Sequence, residues 1–316
     1  MKIMKILVTT PTGKIGRRVL HELLDPEFEV RVVARDPARL PVRIREQVEV
    51  VCGSTDDPAT LCRALDGMEA LFWCVPEESS KETHVERHYE AFACAAWQAI
   101  RLAGTPRVVS ISAGGSGRAR HAGRISGLHA MEEILNESGA AIRHLRCGVF
   151  MENFLSQSWS IHRRGLVSYP MPRHIPVPMT ATVDIADVAL RRLVRRDWEG
   201  IDWIAVHGPE DLTYSQAAAD IERVLERPVR YEEASANRYV ATLVAAGASA
   251  EYAHSLVGMF RELAQGITRA EPRTAESTTR TTLATWAGRE LRSRIEWLPS
   301  KREAMASPLK SLPQAA

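Results

Sequence analysis

The chain has 316 residues, a length that buries a substantial core in one large or two unequal domains. Its 41 basic and 39 acidic side chains nearly cancel, which excludes the broad basic footprint of a nucleic-acid binder. Five cysteines (Cys52, Cys62, Cys74, Cys94 and Cys147) stand singly with no CxxC spacing, which excludes a disulfide framework or a zinc site and reads as reduced core thiols.

The opening MKIMKILV runs straight into turn chemistry without a small-residue cleavage site, and no apolar run approaches the roughly 20 residues of a membrane span. The expectation is a cytoplasmic protein with no membrane partner. Residues 3–10 form an apolar strand, and residues 14–24 follow with Ile15, Val19, Leu20, Leu23 and Leu24 at helical spacing. Strands are expected at 28–35 and 48–53, a helix at 59–68, and a fourth strand at 69–76 that ends on Pro76. A long helix over 81–103 leads to a fifth strand at 107–115, stopped by glycines. A helix near 128–137 and a sixth strand at 141–148 complete the alternation. Strands alternating with helices in this way predict a parallel sheet covered on both faces.

After Gly148 the pattern loosens. Residues 169–179 carry four prolines and read as an extended crossing segment. A helix over 182–194 has Asp184 near its start, where a carboxylate suits free amides. A strand at 202–208, a helix capped by Thr213 or Ser215, a strand at 229–234 and helices through 251–267 and 282–295 follow. The division expected is 1–155 for the first domain, with later segments returning to it, 156–300 for a smaller C-terminal lobe, and a frayed polar tail at 301–316.

The stretch TTPTGKIG, after the first strand, is the first candidate for chemistry. A dinucleotide turn needs a tight exit from the strand, free amides to meet phosphate, and close packing of helix on strand. Gly13 and Gly16, three apart at a helix start, meet the second and third needs. Thr10 stands where the leading glycine belongs, and Pro11 removes one donor. The hydroxyls of Thr10 and Thr12 suit phosphate oxygens or a helix cap, and Lys14, beside Ile15, adds charge. The second strand ends on Arg35, with Arg39 one turn on. A base at that tip accommodates a ribose 2′-phosphate where an acid would bind the 2′-hydroxyl, so the pattern favours NADP(H) over NAD(H). Asp36 follows at once, and its direction is open.

Taken together, these residues resemble the NmrA-like family of atypical short-chain dehydrogenases/reductases over residues 5–292. TTPTGKIG is similar to the family's TGATGxxG turn, and Arg35 matches its arginine after the second strand. Gly53 with Ser54 stands for its GD, and Cys74, Val75 and Pro76 match the strand end that borders the cofactor. EEILNESGAAIRHLRCGVFMENFL keeps Glu132, Ser138, Gly139, Leu145, Arg146, Gly148, Phe150, Met151 and Asn153 of a family stretch. VDIADVA and HGPEDLTYSQAAADI match two later ones. The resemblance implies a Rossmann doubly wound α/β domain carrying NADP(H), with a smaller C-terminal α/β lobe closing a substrate cleft.

Ordinary short-chain dehydrogenases pair a tyrosine and lysine spaced YxxxK after a serine on the fifth strand, where lysine and ribose lower the tyrosine's pKa. Here Ser112 ends that strand, but the next tyrosine is Tyr169, and no lysine lies between Lys81 and Lys301. Some relatives place a lysine or histidine four residues before the position of Glu132, which here is Leu128. His129 lies one step later, rotated by ~100° on the helix, and can pair with Glu133 at i, i+4. That rotation favours a surface histidine, with His129 kept as the one candidate acid. Quinones and conjugated acceptors take hydride with water supplying the proton. The activity expected is therefore reduction of a small carbonyl, quinone or enone without the Tyr–Lys pair. A non-catalytic NADP(H) sensor and a redox-neutral isomerase or lyase are the alternatives.

Phe150, Asn153, Trp159 and Tyr169 are the candidate substrate residues, though core packing uses the same aromatics. Arg146 reads as an anchor for its strand or for a carboxylate such as Asp187. Residues 118–124 (RARHAGR) read as a basic loop over the mouth, or as solvated charge. His84, His88 and Glu90 lie on the long helix and His84–His88 has i, i+4 metal-ligand spacing, but no third ligand is evident, so a polar helix face is the reading and no metal is expected. The partner is a small molecule, and a homodimer is left open.

Overall fold

The computed structural model describes residues 3–104, 106–115 and 121–298. The tail at 301–316 and the loop positions 118–120 lie outside the described residues. Alternation of side chains decides how the first layer forms. β1 (Met4–Val8) sends Ile6 and Val8 into one core and Leu7 into another, as the two-residue period of an extended chain requires. α1 (Gly16–Glu22), β2 (Phe28–Ala34), α2 (Val42–Arg45), β3 (Glu49–Cys52) and α3 (Pro58–Leu65) follow. In β4 (Ala70–Trp73), Ala70 and Phe72 face one side and Leu71 and Trp73 the other. Then come α4 (Val85–Ala103), β5 (Arg107–Ala113), α5 (Arg124–Asn136) and β6 (Ile142–Cys147).

The later elements are β7 (Val149–Phe150), α6 (Ser158–Arg164), β8 (Leu166–Tyr169), β9 (Val177–Thr180), α7 (Thr182–Leu193) and β10 (Ile201–Val206). Beyond them lie β11 (Asp211–Leu212), α8 (Tyr214–Leu225), β12 (Arg230–Glu233), α9 (Ala236–Ala245), α10 (Ala250–Ala264), α11 (Leu283–Trp286) and α12 (Arg292–Glu296). α8 begins at a capping box, with the Thr213 hydroxyl accepting from the Gln216 amide at 3.1 Å and the Gln216 side chain accepting from the Thr213 amide at 2.9 Å.

Seven parallel strands make one sheet in the order β10-β6-β5-β4-β1-β2-β3. Apolar residues of α1 and α7 cover one face, and those of α3, α4 and α5 the other, giving the doubly wound α/β layering. The 3-stranded set β11-β9-β7 and the pair β12-β8 gather with α6, α8, α10, α11 and α12 around a separate core. Its centre is aromatic: the rings of Tyr169, Tyr214 and Phe260 meet tilted or edge-on with centroids 5.2–6.4 Å apart.

Two local expectations are corrected. Asp184 does not cap α7; its carboxylate accepts from the amide and hydroxyl of Thr281 at 3.0 and 2.7 Å. Glu152 instead takes the Thr182 amide at 3.0 Å and the Trp286 indole N–H at 3.1 Å. Of the five free cysteines only Cys147 is buried; Cys52 and Cys94 are exposed. No helix among the described residues is long and apolar enough to cross a membrane.

Candidate functional site

From β1 the chain winds to β2 and β3 on one side, then returns with β4 on the other. Such a reversal opens a crevice beyond the carboxyl ends of the strands, where doubly wound sheets hold ligands. Thr9 stitches the crevice floor. It is fully buried; its amide and hydroxyl donate to the Phe72 carbonyl at 3.1 and 2.9 Å, and the hydroxyl accepts from the Cys74 amide at 2.9 Å.

Thr10 then turns outward with φ of 49°. A β-branched residue in this left-handed region costs on the order of 1–2 kcal/mol, so the turn keeps the backbone of a leading glycine without the glycine. The Gly13 amide closes the turn on the Thr10 carbonyl at 2.9 Å. A Cβ at Gly16 would fall 2.2 Å from that carbonyl oxygen, and one at Gly13 3.2 Å from it. Pro11 is buried and donates nothing. The amides of Thr12, Lys14 and Ile15 make no backbone hydrogen bond among the described residues, and Thr12 and Lys14 are exposed. Three such N–H groups at the mouth of a helix are the kind of donor set that can receive a phosphate.

At the tip of β2, Arg35 is exposed. The Asp36 carboxylate accepts from the Ala38 amide at 3.0 Å and so caps the 3-10 turn Pro37–Arg39, which answers the open question of its direction. Gly53, after β3, has φ of 151°, and a Cβ there would meet the Thr60 hydroxyl at 2.5 Å. Ser54 is half-buried beside it. Beyond β4, Val75 is buried and Cys74 and Pro76 are half-buried. Burial pushes the Cys74 thiol up to about 11, which leaves no thiolate at neutral pH. Ser112 is buried near the end of β5. The candidate cofactor residues therefore converge on the carboxyl ends of five adjacent strands.

The surface reading of His129 is overturned. It is 5 % exposed, turned to the end of β5, with Nε2 3.1 Å from the Ala113 carbonyl. A carbonyl only accepts, so Nε2 carries the proton. Burial pulls the imidazole below its ordinary pKa, and the ring is neutral at pH 7. Nδ1 is a buried acceptor with no partner among the described residues. Glu133 points to solvent, so the i, i+4 pair does not form.

Three residues beyond His129, Glu132 is buried and takes Arg146 through Nε at 3.1 Å and Nη2 at 2.7 Å. Burial opposes ionisation of the Glu132 carboxyl, but the guanidinium outweighs it and holds the group below the usual carboxylate range. Arg146 also reaches buried Glu271 at 3.4 Å. Its carboxylates are these two, and Asp187 lies exposed on α7. A second buried cluster lies past β4, where Glu78 accepts from the Tyr89 hydroxyl and from Arg124, both at 2.8 Å. Arg124, expected in a loop over the mouth, is thus the first residue of α5 and is bound inward. His88 likewise turns to the strand end, its Nε2 2.8 Å from the Pro76 carbonyl. A cavity of about 320 Å³ opens nearby, lined by Thr83, His84, Arg87, His121, Gly123 and Ser255 among others.

Of the four substrate candidates, Asn153 and Tyr169 meet, and the four do not line one wall. Trp159 is 51 % exposed on α6 under the Arg163 guanidinium. Tyr169 lies in the aromatic core, with its hydroxyl donating to the Asn153 carbonyl at 3.0 Å and pushed up to about 12 by burial. These two share no wall. Phe150 pairs with Thr180 and packs half-buried against the sheet, while Asn153 is exposed. Thr9, Glu78, Tyr89 and Glu271 were not singled out in the sequence. Gly114–Gly115 after a strand did signal a close approach there, but not what approaches.

Residues 11–156 match a family model described as NAD(P)H-binding. The chain is 34 % identical over 229 residues to a (4-alkanoyl-5-oxo-2,5-dihydrofuran-3-yl)methyl phosphate reductase of Streptomyces griseus, covering 72 % of this chain and 76 % of that protein. It is 26 % identical over 226 residues to an NAD(P)H azoreductase of Xenophilus azovorans, with the same coverage. Among solved structures, an NADPH-dependent quinone oxidoreductase of Escherichia coli in complex with NADPH superposes with a TM-score of 0.73 at 22 % identity. That match covers 89 % of this chain and 97 % of the other, and it establishes a shared fold.

Proposed function

Because the chain belongs to the NmrA-like, NAD(P)H-binding family of atypical short-chain dehydrogenases/reductases, we propose that it is an NADPH-dependent reductase of a conjugated carbonyl, a quinone or an enone. The observation that carries this reading is the cradle at Thr10–Gly16, three free amides at the crevice with Arg35 at the neighbouring strand tip. The residues fit the group: the amides of Thr12, Lys14 and Ile15 hold the pyrophosphate, and Arg35 meets a ribose 2′-phosphate. Bound there, the dinucleotide supplies the hydride. The relative from Streptomyces griseus is named for a dihydrofuranone whose ring double bond is conjugated to carbonyls, which supports an acceptor of that electronic type.

The chain's own residues leave the proton to water. His129 is neutral at pH 7, and its single N–H is engaged with Ala113. Its part is to hold the end of β5. Replacing His129 with alanine is accordingly expected to change kcat for a reactive quinone by less than about threefold, read in a steady-state assay at pH 7. A loss of a hundredfold would make it the acid after all.

NADPH oxidation across a panel of quinones, enones, azo compounds and aldehydes tests the function directly. Turnover of quinones or enones ahead of simple aldehydes is the expected result. Tight NADPH binding with no turnover on any acceptor would identify a nucleotide sensor instead.

A further inference from the structure

We infer that Glu271 is a positioning residue for the nicotinamide end of the crevice, an inference that rests on the reading that Thr10–Gly16 holds a dinucleotide. Glu271 follows the 3-10 turn Ile267–Arg269, 156 residues beyond Gly115 in sequence, and is 4 % exposed. Both of its carboxylate oxygens accept from the Gly115 amide, at 3.0 and 2.8 Å. The segment Ile267–Glu271 lies as a strap over Gly114 and Gly115 and leaves no room for a side chain at either. A Cβ at Gly114 would come 2.9 Å from Glu271 Oε2, and one at Gly115 2.2 Å from Ile267 Cγ1.

The strap acts one residue beyond the last sheet hydrogen bond, which runs from the Gly114 amide to the Cys147 carbonyl at 3.4 Å. β5 ends at Ala113, two residues before the amide that Glu271 holds. On the other side of that end, the Ala113 carbonyl is held by His129. The shorter contact from the Glu271 carboxylate sets the direction of the backbone just past Ser112, and the neutral imidazole adds a weaker hold on the same end. A carboxylate makes a stronger bond to an amide than a neutral acceptor does. Its charge is tolerated in the interior because Arg146 stands 3.4 Å away, with its other edge on Glu132. Strap, β5, β6 and α5 therefore meet in one charge network at the carboxyl edge of the sheet. The pyrophosphate cradle lies two strands away, after β1. With the adenosine ribose at Arg35 on the β2 side, the nicotinamide half of a dinucleotide lies across β4 and β5, so the strap bears on the hydride-donating end and leaves the phosphate grip alone.

Titration with NADPH separates those two ends, because ring emission reports enclosure of the reduced nicotinamide whereas affinity is dominated by the phosphates. In wild type the emission is expected to rise on binding. Glu271→Ala is expected to keep the NADPH dissociation constant within about threefold, to lose at least half of that rise, and to lower kcat for a quinone by tenfold or more. Glu271→Gln, which retains an acceptor for Gly115, should recover most of the emission. Glu271→Asp keeps the charge but is one methylene short of spanning Gly115 and Arg146, and should behave like the alanine variant. It decides the matter if Glu271→Ala does not accumulate as folded protein.

Wild-type emission and kcat in the aspartate or alanine variant would overturn the inference. So would losses that disappear at saturating NADPH in step with a lowered Tm, or a wild type that binds without any rise in emission. Failure of wild type to bind NADPH at all would instead remove the cofactor reading, before any variant is made. Binding with the expected emission pattern but no turnover would remove the reductase and keep the positioning role.

Discussion

Replacing Arg35 with alanine is expected to raise the NADPH dissociation constant by about ten- to a hundredfold, while moving that of NADH by less than about threefold. The two nucleotides differ by one ribose phosphate, so the difference isolates whatever meets that group. Arg35 stands exposed at the tip of β2, next in the sheet to β1 and its amide cradle. A guanidinium on a phosphate is a charge-assisted, often bidentate contact, worth roughly 1.5–3 kcal/mol where solvent is partly excluded. The acid that would argue for NADH is Asp36, and its carboxylate is committed to the Ala38 amide. Lys14 and Arg39 are also exposed and keep some attraction for the phosphate in the variant, which sets the upper bound. Titration at fixed, low salt checks the figure, because screening shrinks any exposed phosphate contact. Equal weakening of both nucleotides would take Arg35 away from the ribose and leave the preference unexplained.

The sheet is readable because its central strands are buried on two faces. Runs such as KILVTT and ALFWCV have no polar alternative to a central parallel strand. Gly16 was readable for a related reason, since a glycine opening a helix after such a run marks backbone contact, here with the Thr10 carbonyl. Thr10 was half readable: its place in the motif was plain, but only coordinates show a β-branched residue held at φ of 49°.

What the sequence concealed depends on distant partners. Arg146 announces a buried cation, yet its carboxylates come from 14 residues upstream and 125 downstream, and nothing local distinguishes Glu271 from Glu276. The latter is an exposed partner of Arg192. Trp159 and Tyr169 are hard to place from sequence because apolar rings serve a pocket wall, a core and a surface stack equally well in composition. His129 was judged by its rotation on an isolated helix, and it was the packing of α5 on the end of β5 that turned it inward.

Replacing Arg146 with alanine is expected to cost roughly 3–5 kcal/mol of stability at pH 7, measured by urea denaturation, because it strands two buried carboxylates at once. The pH dependence tells this apart from a simple loss of packing under Trp203, whose ring lies 4.9 Å from the guanidinium. In wild type the Glu132 carboxyl is held below its ordinary value, 4.5. Its contribution is therefore complete above that value and lost as pH falls through the folded-state pKa. In the variant the sign reverses. Without the guanidinium, burial raises the folded-state pKa of Glu132 above its unfolded value, so the folded state binds the extra proton and gains stability on acidification. The deficit of the variant should be largest near neutrality and shrink steadily as the pH approaches 4.5. A deficit constant across that range would assign the loss to packing. Glu271 would then be free of the charge network that ties the strap to β5 and β6, and only its bond to Gly115 would remain to hold it there.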